Sequence, residues 1–138
     1  MDCAWADPAK YGAALTHLVE DNLVNQTILV ERLKMYGAKK IDVVDNGQRA
    51  VEVATKTSYD MIFMDVRMPV MGGLEATRTL RQRGVTSFVV GHTGGTTTEE
   101  EHACYESGMD EFLSKPAPNK KVREKIEIFL ARHSQSAA

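Results

Sequence analysis

Short apolar runs alternate with stretches of helical periodicity along the chain from Ala13 onward. The runs are about four to six residues long, the usual length of a strand, and the stretches between them are long enough for helices. This alternation is typical of βαβ units, in which helices cover the faces of a parallel sheet. Five strands are predicted, at residues 14–19, 41–44, 61–64, 87–90 and 111–114. The sequence therefore predicts an α/β fold, and its 138 residues fit one domain.

Five helices are predicted, one after each strand. The first covers residues 25–36 and the last covers residues 119–132. The fourth begins at Thr98, whose spacing from Glu101 matches a capping box, and ends at Gly108. Apolar residues at helical spacing are predicted to face the sheet. They are Ile28, Leu29, Leu33 and Tyr36 in the first helix, Ala50, Val51 and Ala54 in the second, Leu74 and Leu80 in the third, and Val122, Ile126 and Phe129 in the last.

Charge and hydropathy exclude several classes of protein. The net charge is −2 and the basic residues are dispersed, so there is no electrostatic footprint for nucleic acid. No apolar run approaches the roughly 18 residues that a membrane helix needs, and the first residues lack the layout of a signal peptide. Cys3 and Cys104 form neither a disulfide framework nor a metal cluster, which favours free thiols. We therefore expect a cytoplasmic protein without direct contact to nucleic acid or membrane.

The polar residues that interrupt the apolar pattern stand at the ends of predicted strands. Glu20 and Asp21 follow the first strand, Asp65 ends the third, Thr93 follows the fourth and Lys115 follows the fifth. In an open parallel sheet, ligands bind at the carboxyl ends of the strands, near the point where the strand order reverses. Four strand ends are therefore predicted to contribute side chains to one pocket.

The residue types in this pocket suit phosphoryl transfer with a divalent cation. Three carboxylates close together repel each other, and a hard cation such as Mg²⁺ would keep them ionised. Asp65 is best placed to be the nucleophile because it ends the central strand, and a carboxylate can form an aspartyl phosphate. The ammonium of Lys115 would neutralise charge on the phosphoryl group. The Thr93 hydroxyl and the Gly94 N–H could hold its remaining oxygens.

Four segments of the sequence together resemble a known family. They are VEDNLVN at residues 19–25, YDMIFMDVRMPVMGG at residues 59–73, Thr93 with Gly94, and FLSKP at residues 112–116. Jointly they are similar to the response-regulator receiver domains of two-component signalling, most of all to the receivers of hybrid histidine kinases and phosphorelays. The resemblance covers about residues 14–132. It implies a flavodoxin-like, doubly wound, five-stranded parallel sheet in the order 2-1-3-4-5 with five helices.

The resemblance also implies roles for individual residues. Asp65 would be the phosphoryl acceptor, and Lys115 would bind the phosphoryl group together with Gly94. Thr93 and Phe112 would be a switch pair, in which the hydroxyl moves toward the phosphate and the ring changes rotamer. Mg²⁺, for which Mn²⁺ could substitute, would be held by Glu20, Asp21, Asp65 and the backbone carbonyl of Arg67.

The implied partner is a histidine kinase or a histidine-phosphotransfer protein, whose phosphohistidine supplies the phosphoryl group. The module would then catalyse its own phosphorylation and dephosphorylation as a stand-alone receiver or as part of a hybrid histidine kinase, on the cytosolic side if that kinase lies in a membrane. The expected boundaries are a linker or cap at residues 1–12, the receiver domain at residues 13–133 and a tail at residues 134–138.

The sequence departs from the family pattern at several positions. Glu20 replaces the commoner aspartate, which lengthens the arm and keeps the charge. His17 and His92 stand where the family usually has apolar residues, and we expect buried or half-buried structural histidines with one hydrogen-bond partner each. Gly91 and Gly95 make the segment around Thr93 rich in glycine. Arg67 and Gly95 lie where receivers vary to control hydrolysis of the phosphoryl group.

Two other functions remain open at this point. A degenerate receiver would bind partners without phosphorylation, and the glycine-rich loop and the unusual histidines are its support. A Mg²⁺-dependent phosphatase with an aspartyl intermediate would usually carry two aspartates one residue apart on its first strand, which the VEDN segment lacks. A DNA-binding regulator is disfavoured because only six residues follow Arg132.

Overall fold

The computed structural model describes residues 14–68, 70–94, 97–115 and 118–137. Its single sheet has five parallel strands in the order β2-β1-β3-β4-β5. The strands are β1 (Leu15–Val19), β2 (Lys40–Val44), β3 (Met61–Asp65), β4 (Phe88–Thr93) and β5 (Glu111–Ser114). The predicted fold class and strand order are confirmed. The predicted linker or cap at residues 1–12 lies outside the described residues.

Five helices connect the strands and cover both faces of the sheet. They are α1 (Leu23–Met35), α2 (Gly47–Lys56), α3 (Gly73–Gln82), α4 (Thr98–Ser107) and α5 (Asn119–Ala137). The helices with a predicted start, α1, α4 and α5, begin within about two residues of it. The helices α2 and α3 contain the apolar positions predicted for them. The last helix continues five residues beyond its predicted end at Arg132. None of the helices in the described part of the chain combines the length and apolar character needed to cross a bilayer.

The central strand β3 is buried along its whole length and divides two apolar cores. Phe63 packs into the core beneath α1 and α5, which contains Leu29 and Leu33 and the α5 residues Val122, Ile126 and Phe129. Met64 packs into the core beneath the other three helices. A strand covered on both faces must be apolar throughout, as the sequence of β3 predicts. This burial fixes the position of Asp65 at the strand's carboxyl end.

The first turn of α1 differs from its prediction. The helix begins at Leu23 and not at residue 25, because the Asn22 side chain caps it by accepting a hydrogen bond from the Asn25 N–H (3.0 Å). The prediction that Ile28 faces the sheet is wrong, since 43% of that side chain is exposed. Leu29 and Leu33 are buried in the core beneath α1, with Val30 and Tyr36 packed against it, and Ile28 lies outside this set.

The predicted cap of α4 is wrong by one residue. Thr97 has extended backbone dihedrals, and its hydroxyl accepts a hydrogen bond from the Glu100 N–H at 3.1 Å. Three consecutive threonines precede three consecutive glutamates, so the capping-box spacing fits more than one pair and cannot identify the register. The predicted end of α4 at Gly108 is confirmed, and that glycine adopts a left-handed conformation with φ of 108°.

Candidate functional site

The polar residues predicted from the strand ends lie together at the carboxyl edge of the sheet. Lys115, immediately after β5, places its Nζ atom 3.0 Å from Asp65 Oδ1. The same atom lies 2.9 Å from Glu20 Oε1. Side chains from the ends of β1, β3 and β5 therefore meet around one ammonium group, although β3 and β5 are separated in the sheet by β4.

Three carboxylates at this edge fit a hard divalent cation. One oxygen each from Glu20, Asp21 and Asp65 lies within 4.8 Å of the other two. Glu20 is buried and Asp21 is exposed, so the cluster opens to solvent on one side. Glu20 Oε1 is buried and, apart from its ion pair with Lys115, has no well-directed hydrogen bond. Such a set of oxygen atoms is what Mg²⁺ takes from proteins, with water completing its coordination.

Burial and neighbouring charges make Asp65 an unusual aspartate. Burial, together with the Glu20 carboxylate, raises the pKa of Asp65 to about 7, against the opposing effect of the Lys115 ammonium. Burial disfavours the charge of Lys115, but hydrogen bonds to Glu20 and Asp65 outweigh it and raise the pKa of that lysine. Without a cation, the site therefore holds more negative charge than it can stabilise.

The start of α3 packs directly against the end of β3. A Cβ atom at Gly73 would lie 2.1 Å from the carbonyl oxygen of Asp65, a distance that no side chain can occupy. The Gly73 N–H donates to the Val66 carbonyl at 2.9 Å. The Arg67 N–H points to Asp65 Oδ1 at 3.3 Å. The GG step of the sequence thus lets the helix close over the strand end and hold the Asp65 backbone.

The two residues predicted to form the switch, Thr93 and Phe112, contact different parts of the structure. Thr93 ends β4 and is 1% exposed, and its hydroxyl donates to Glu100 Oε1 at 2.6 Å. Gly94 follows it and is exposed. Phe112 on β5 is half-buried against the core beneath α2, α3 and α4. The structure places Thr93 at the site and directs its hydroxyl toward α4.

Glu100 is a site residue that the sequence did not identify. The Arg67 side chain lies 3.1 Å from Glu100 Oε2, while Thr93 occupies the other carboxylate oxygen. In the sequence, Glu100 belongs to an acidic run whose simplest interpretation is a favourable helix N-terminus. Only the register of the α4 cap could have identified Glu100, because that register decides which of the three glutamates points back to β4.

The two unusual histidines are both buried, as predicted. His17 stacks on the Tyr59 ring at 4.4 Å, and its Nδ1 atom lies 3.2 Å from the Asp42 carbonyl. Burial, followed by the positive charges of Lys115 and Arg32, lowers the pKa of His92 to about 4, so that histidine is neutral near pH 7. The buried Nε2 atom of His92 has no hydrogen-bond partner among the described residues, although one partner was expected for this histidine.

Fold and site together define a class of protein: a doubly wound α/β domain with an acidic cluster and a lysine at the carboxyl edge of its sheet. The family model described as the response regulator receiver domain matches residues 16–127. The chain belongs to this family.

Proteins similar to this chain include signalling kinases. The hybrid signal transduction histidine kinase K of Dictyostelium discoideum is 34% identical over 127 aligned positions, and the match covers 86% of this chain. The chain spans only 10% of the length of that relative. The predicted resemblance to receivers of hybrid histidine kinases is confirmed.

Solved receiver domains have the same fold. The receiver domain of the sensor histidine kinase PA1611 from Pseudomonas aeruginosa, which has a magnesium ion in its active-site cleft, is 31% identical with a TM-score of 0.78, covering 86% of this chain and 98% of that one. The receiver domain of Ssk1 from Saccharomyces cerevisiae, in complex with the histidine phosphotransfer protein Ypd1, is 26% identical with a TM-score of 0.79. That match covers 87% of this chain and 90% of the other.

Proposed function

We propose that this domain accepts a phosphoryl group on Asp65 from the phosphohistidine of a histidine kinase or a histidine-phosphotransfer protein, in a reaction that depends on Mg²⁺. The observation that carries the proposal is the grouping of the Asp65 carboxylate with the Lys115 ammonium at 3.0 Å and with one oxygen each of Glu20 and Asp21 within 4.8 Å. The complex of a similar receiver with a histidine phosphotransfer protein supports the choice of donor. The domain boundaries at residues 13–133 and the cytoplasmic location belong to the same proposal.

The residues of the chain account for the transfer step. A carboxylate oxygen of Asp65 attacks the phosphorus atom, a P–O bond forms, and the P–N bond to the histidine breaks. The departing imidazole retains the electron pair and takes up a proton. Lys115 would bind the transferred phosphoryl group, because its ammonium already contacts Asp65 and can pair with a phosphoryl oxygen. Among the described residues, a Cβ atom at Gly94, on the exposed loop after β4, would meet no heavy atom within 4 Å beyond its chain neighbours, so this side of the loop is open to an anion.

The acidic cluster supports a role for Mg²⁺ in this reaction. Glu20, Asp21, Asp65 and the Arg67 carbonyl would hold Mg²⁺, which supplies charge neutralisation for the carboxylate and the phosphoryl oxygens. In its absence, burial and Glu20 favour the protonated form of Asp65, which is a poor nucleophile. A bound cation and Lys115 would therefore both keep Asp65 ionised and allow the anionic phosphoryl group to approach it.

A phosphotransfer assay tests the proposal directly. The domain is mixed with a histidine-phosphotransfer protein that carries labelled phosphate, with Mg²⁺ or with EDTA, and the label is located by mass spectrometry. We expect rapid transfer to Asp65 only with Mg²⁺. Failure to take up label, together with no response to beryllofluoride and Mg²⁺, would instead support a degenerate receiver that binds partners without phosphorylation.

Asp21→Ala is expected to weaken Mg²⁺ binding by about tenfold or more, because the cation loses one of three carboxylates. The side chain is exposed, so the fold should tolerate its removal. Calorimetric titration with Mg²⁺ measures the affinity. Asp45→Ala is the matched control, because Asp45 is also an exposed aspartate just after a strand at the same edge of the sheet. Equal affinities in the two variants would exclude Asp21 from the metal site.

Exposed apolar side chains near this edge offer a surface for the donor protein. Leu23 and Val24 in the first turn of α1 are 75% and 67% exposed, and Val70 in the loop after β3 is 76% exposed. Val70 also has a φ of 71°, which is rare for a β-branched residue. A protein that brings its phosphohistidine to Asp65 must cover this edge, and we define Leu23, Val24 and Val70 as the apolar rim that it contacts.

Replacing both Leu23 and Val24 by Gln is expected to slow transfer from the phosphotransfer protein by about tenfold, since buried apolar contacts at the centre of an interface contribute most of its affinity. Phosphorylation by acetyl phosphate, which needs no protein surface, should keep its rate. Met35→Gln is the control, because Met35 is 57% exposed at the opposite end of the same helix. A parallel loss with acetyl phosphate would mean that the site itself is damaged and that the rim has no role in docking.

A further inference from the structure

The side chain of Glu100 joins three parts of the site. One of its carboxylate oxygens accepts the hydrogen bond of the Thr93 hydroxyl at 2.6 Å, and the other pairs with the Arg67 guanidinium at 3.1 Å. Glu100 itself belongs to the first turn of α4, where its N–H is bound by the Thr97 cap at 3.1 Å. One carboxylate thus connects the end of β4, the loop after Asp65 and the start of α4.

The two contacts of this carboxylate differ in strength. Arg67 is 77% exposed, and an ion pair in that setting contributes little to stability. Thr93 is 1% exposed, and the Glu100 side chain is 13% exposed, so the hydroxyl bond is shielded from water. That hydrogen bond lowers the pKa of Glu100, and Arg67 adds to the effect. A short bond from a buried hydroxyl to an ionised carboxylate is among the stronger hydrogen bonds in proteins.

A hydroxyl has only one proton to donate. While Thr93 donates to Glu100, it cannot donate to a phosphoryl oxygen on Asp65. Thr93 is the residue after His92, the strand partner of Asp65, and its carbonyl accepts from the Lys115 N–H at 2.7 Å, so Thr93 belongs to the strand ends at which a phosphoryl group on Asp65 would lie. Phosphoryl oxygens and the Glu100 carboxylate are both anionic, and they cannot share the hydroxyl favourably.

We propose that Glu100 is a positioning residue that holds the Thr93 hydroxyl in the resting orientation and so opposes the phosphorylated state. The inference rests on the proposed function. Phosphorylation would turn the Thr93 hydroxyl from Glu100 to a phosphoryl oxygen, which releases the first turn of α4 from β4. The domain would then respond only to an anion that competes well with a carboxylate, and α4 would be the element that reports the change.

Binding of beryllofluoride in the presence of Mg²⁺, followed by NMR of the amides near Thr93, tests this role. Glu100→Ala removes the competing acceptor and is expected to tighten beryllofluoride binding by about tenfold, with unchanged affinity for Mg²⁺ alone. Glu99→Ala is the matched control, because Glu99 is an exposed acid in the same first turn. It should leave beryllofluoride binding unchanged. If Glu100→Ala does not fold, Glu100→Gln retains an uncharged, weaker acceptor and should give a smaller change in the same direction.

A Thr93→Val background separates the effect of losing the Thr93 hydrogen bond from the effect of releasing Arg67. In a Thr93→Val domain, Glu100→Ala is expected to have no further effect on beryllofluoride binding, because the bond that it removes is already missing. A persistent gain in that background would assign the effect to Arg67 or to net charge and overturn the proposal. Equal binding by the wild-type, Glu99→Ala and Glu100→Ala domains would also overturn it. A wild-type domain that binds no beryllofluoride would contradict the proposed function itself.

Discussion

Asp65→Asn is expected to reduce phosphoryl uptake from a phosphohistidine donor below detection. The variant keeps the size of the side chain and loses the nucleophile, since an amide oxygen does not form a stable bond to phosphorus in this reaction. No neighbouring acid is well placed to replace it. In the proposal Glu20 and Asp21 hold the cation, and Asp21 is also exposed and lacks an ion pair with the lysine in the described structure. Radiolabel transfer and mass spectrometry of the intact domain measure the loss.

Asp45→Asn is the control for this experiment. Asp45 stands after β2 at the same carboxyl edge, is exposed, and undergoes the same chemical change. Its uptake of phosphate should match that of the wild-type domain. Label retained by Asp65→Asn on any residue of this edge would remove Asp65 from the role of acceptor, whereas loss of uptake in both variants would point to a general effect of charge on the donor complex.

The fold was predictable because its signals are local and repeated. The apolar run before Asp65, the alternation of strands and helices, and Gly108 as a helix end each follow from the sequence over a few residues. Errors arose where several residues satisfied the same rule. Ile28 and Leu29 are both apolar at neighbouring helical positions, and only the packing of α1 on the sheet decides that Leu29 is the buried one.

The site was predictable to the extent that the sheet topology dictates it. Parallel strands bring their carboxyl ends to one edge, so the proximity of Lys115 to Asp65 follows from the strand order. The contact between Glu100 and Thr93 does not, because it depends on the register of the α4 cap and on the direction of one side chain. Contacts between a loop, a helix turn and a strand end are set by packing, which no spacing rule encodes.

The stability of the metal-free domain offers a second large effect, because Asp65 titrates in an unusual range. Its ordinary pKa is 3.8, and in the folded domain the pKa is about 7. Between about pH 4 and 7 the folded state therefore binds more protons at Asp65 than the unfolded state does, so the contribution of this group to stability falls as the pH rises through that window. Above about pH 7 the ionised group is fully unfavourable.

Asp65→Asn is thus expected to be more stable than the wild-type domain in EDTA at pH 8, by on the order of 2–4 kcal/mol. The two should be nearly equal at pH 4, where both side chains are uncharged. The pKa of Asp65 in the folded domain already includes the opposing effect of Lys115, so loss of that ion pair is not counted again. Urea unfolding at both pH values, with Asp45→Asn as the control, gives the difference directly.

Mg²⁺ should reverse the order of the two domains. The cation binds the wild-type acids in the folded state and stabilises it in proportion to the logarithm of the metal concentration, whereas the Asn variant has lost one charged ligand and gains less. The Asp65 charge that destabilises the metal-free domain is then the charge that binds the metal. Its removal should therefore increase the stability of the domain only when the metal is absent. A gain in stability that is the same at pH 4 and pH 8 would show that the neighbours of the Asp65 carboxylate do not destabilise its charge. A gain that Mg²⁺ does not change would show that this carboxylate is not a ligand.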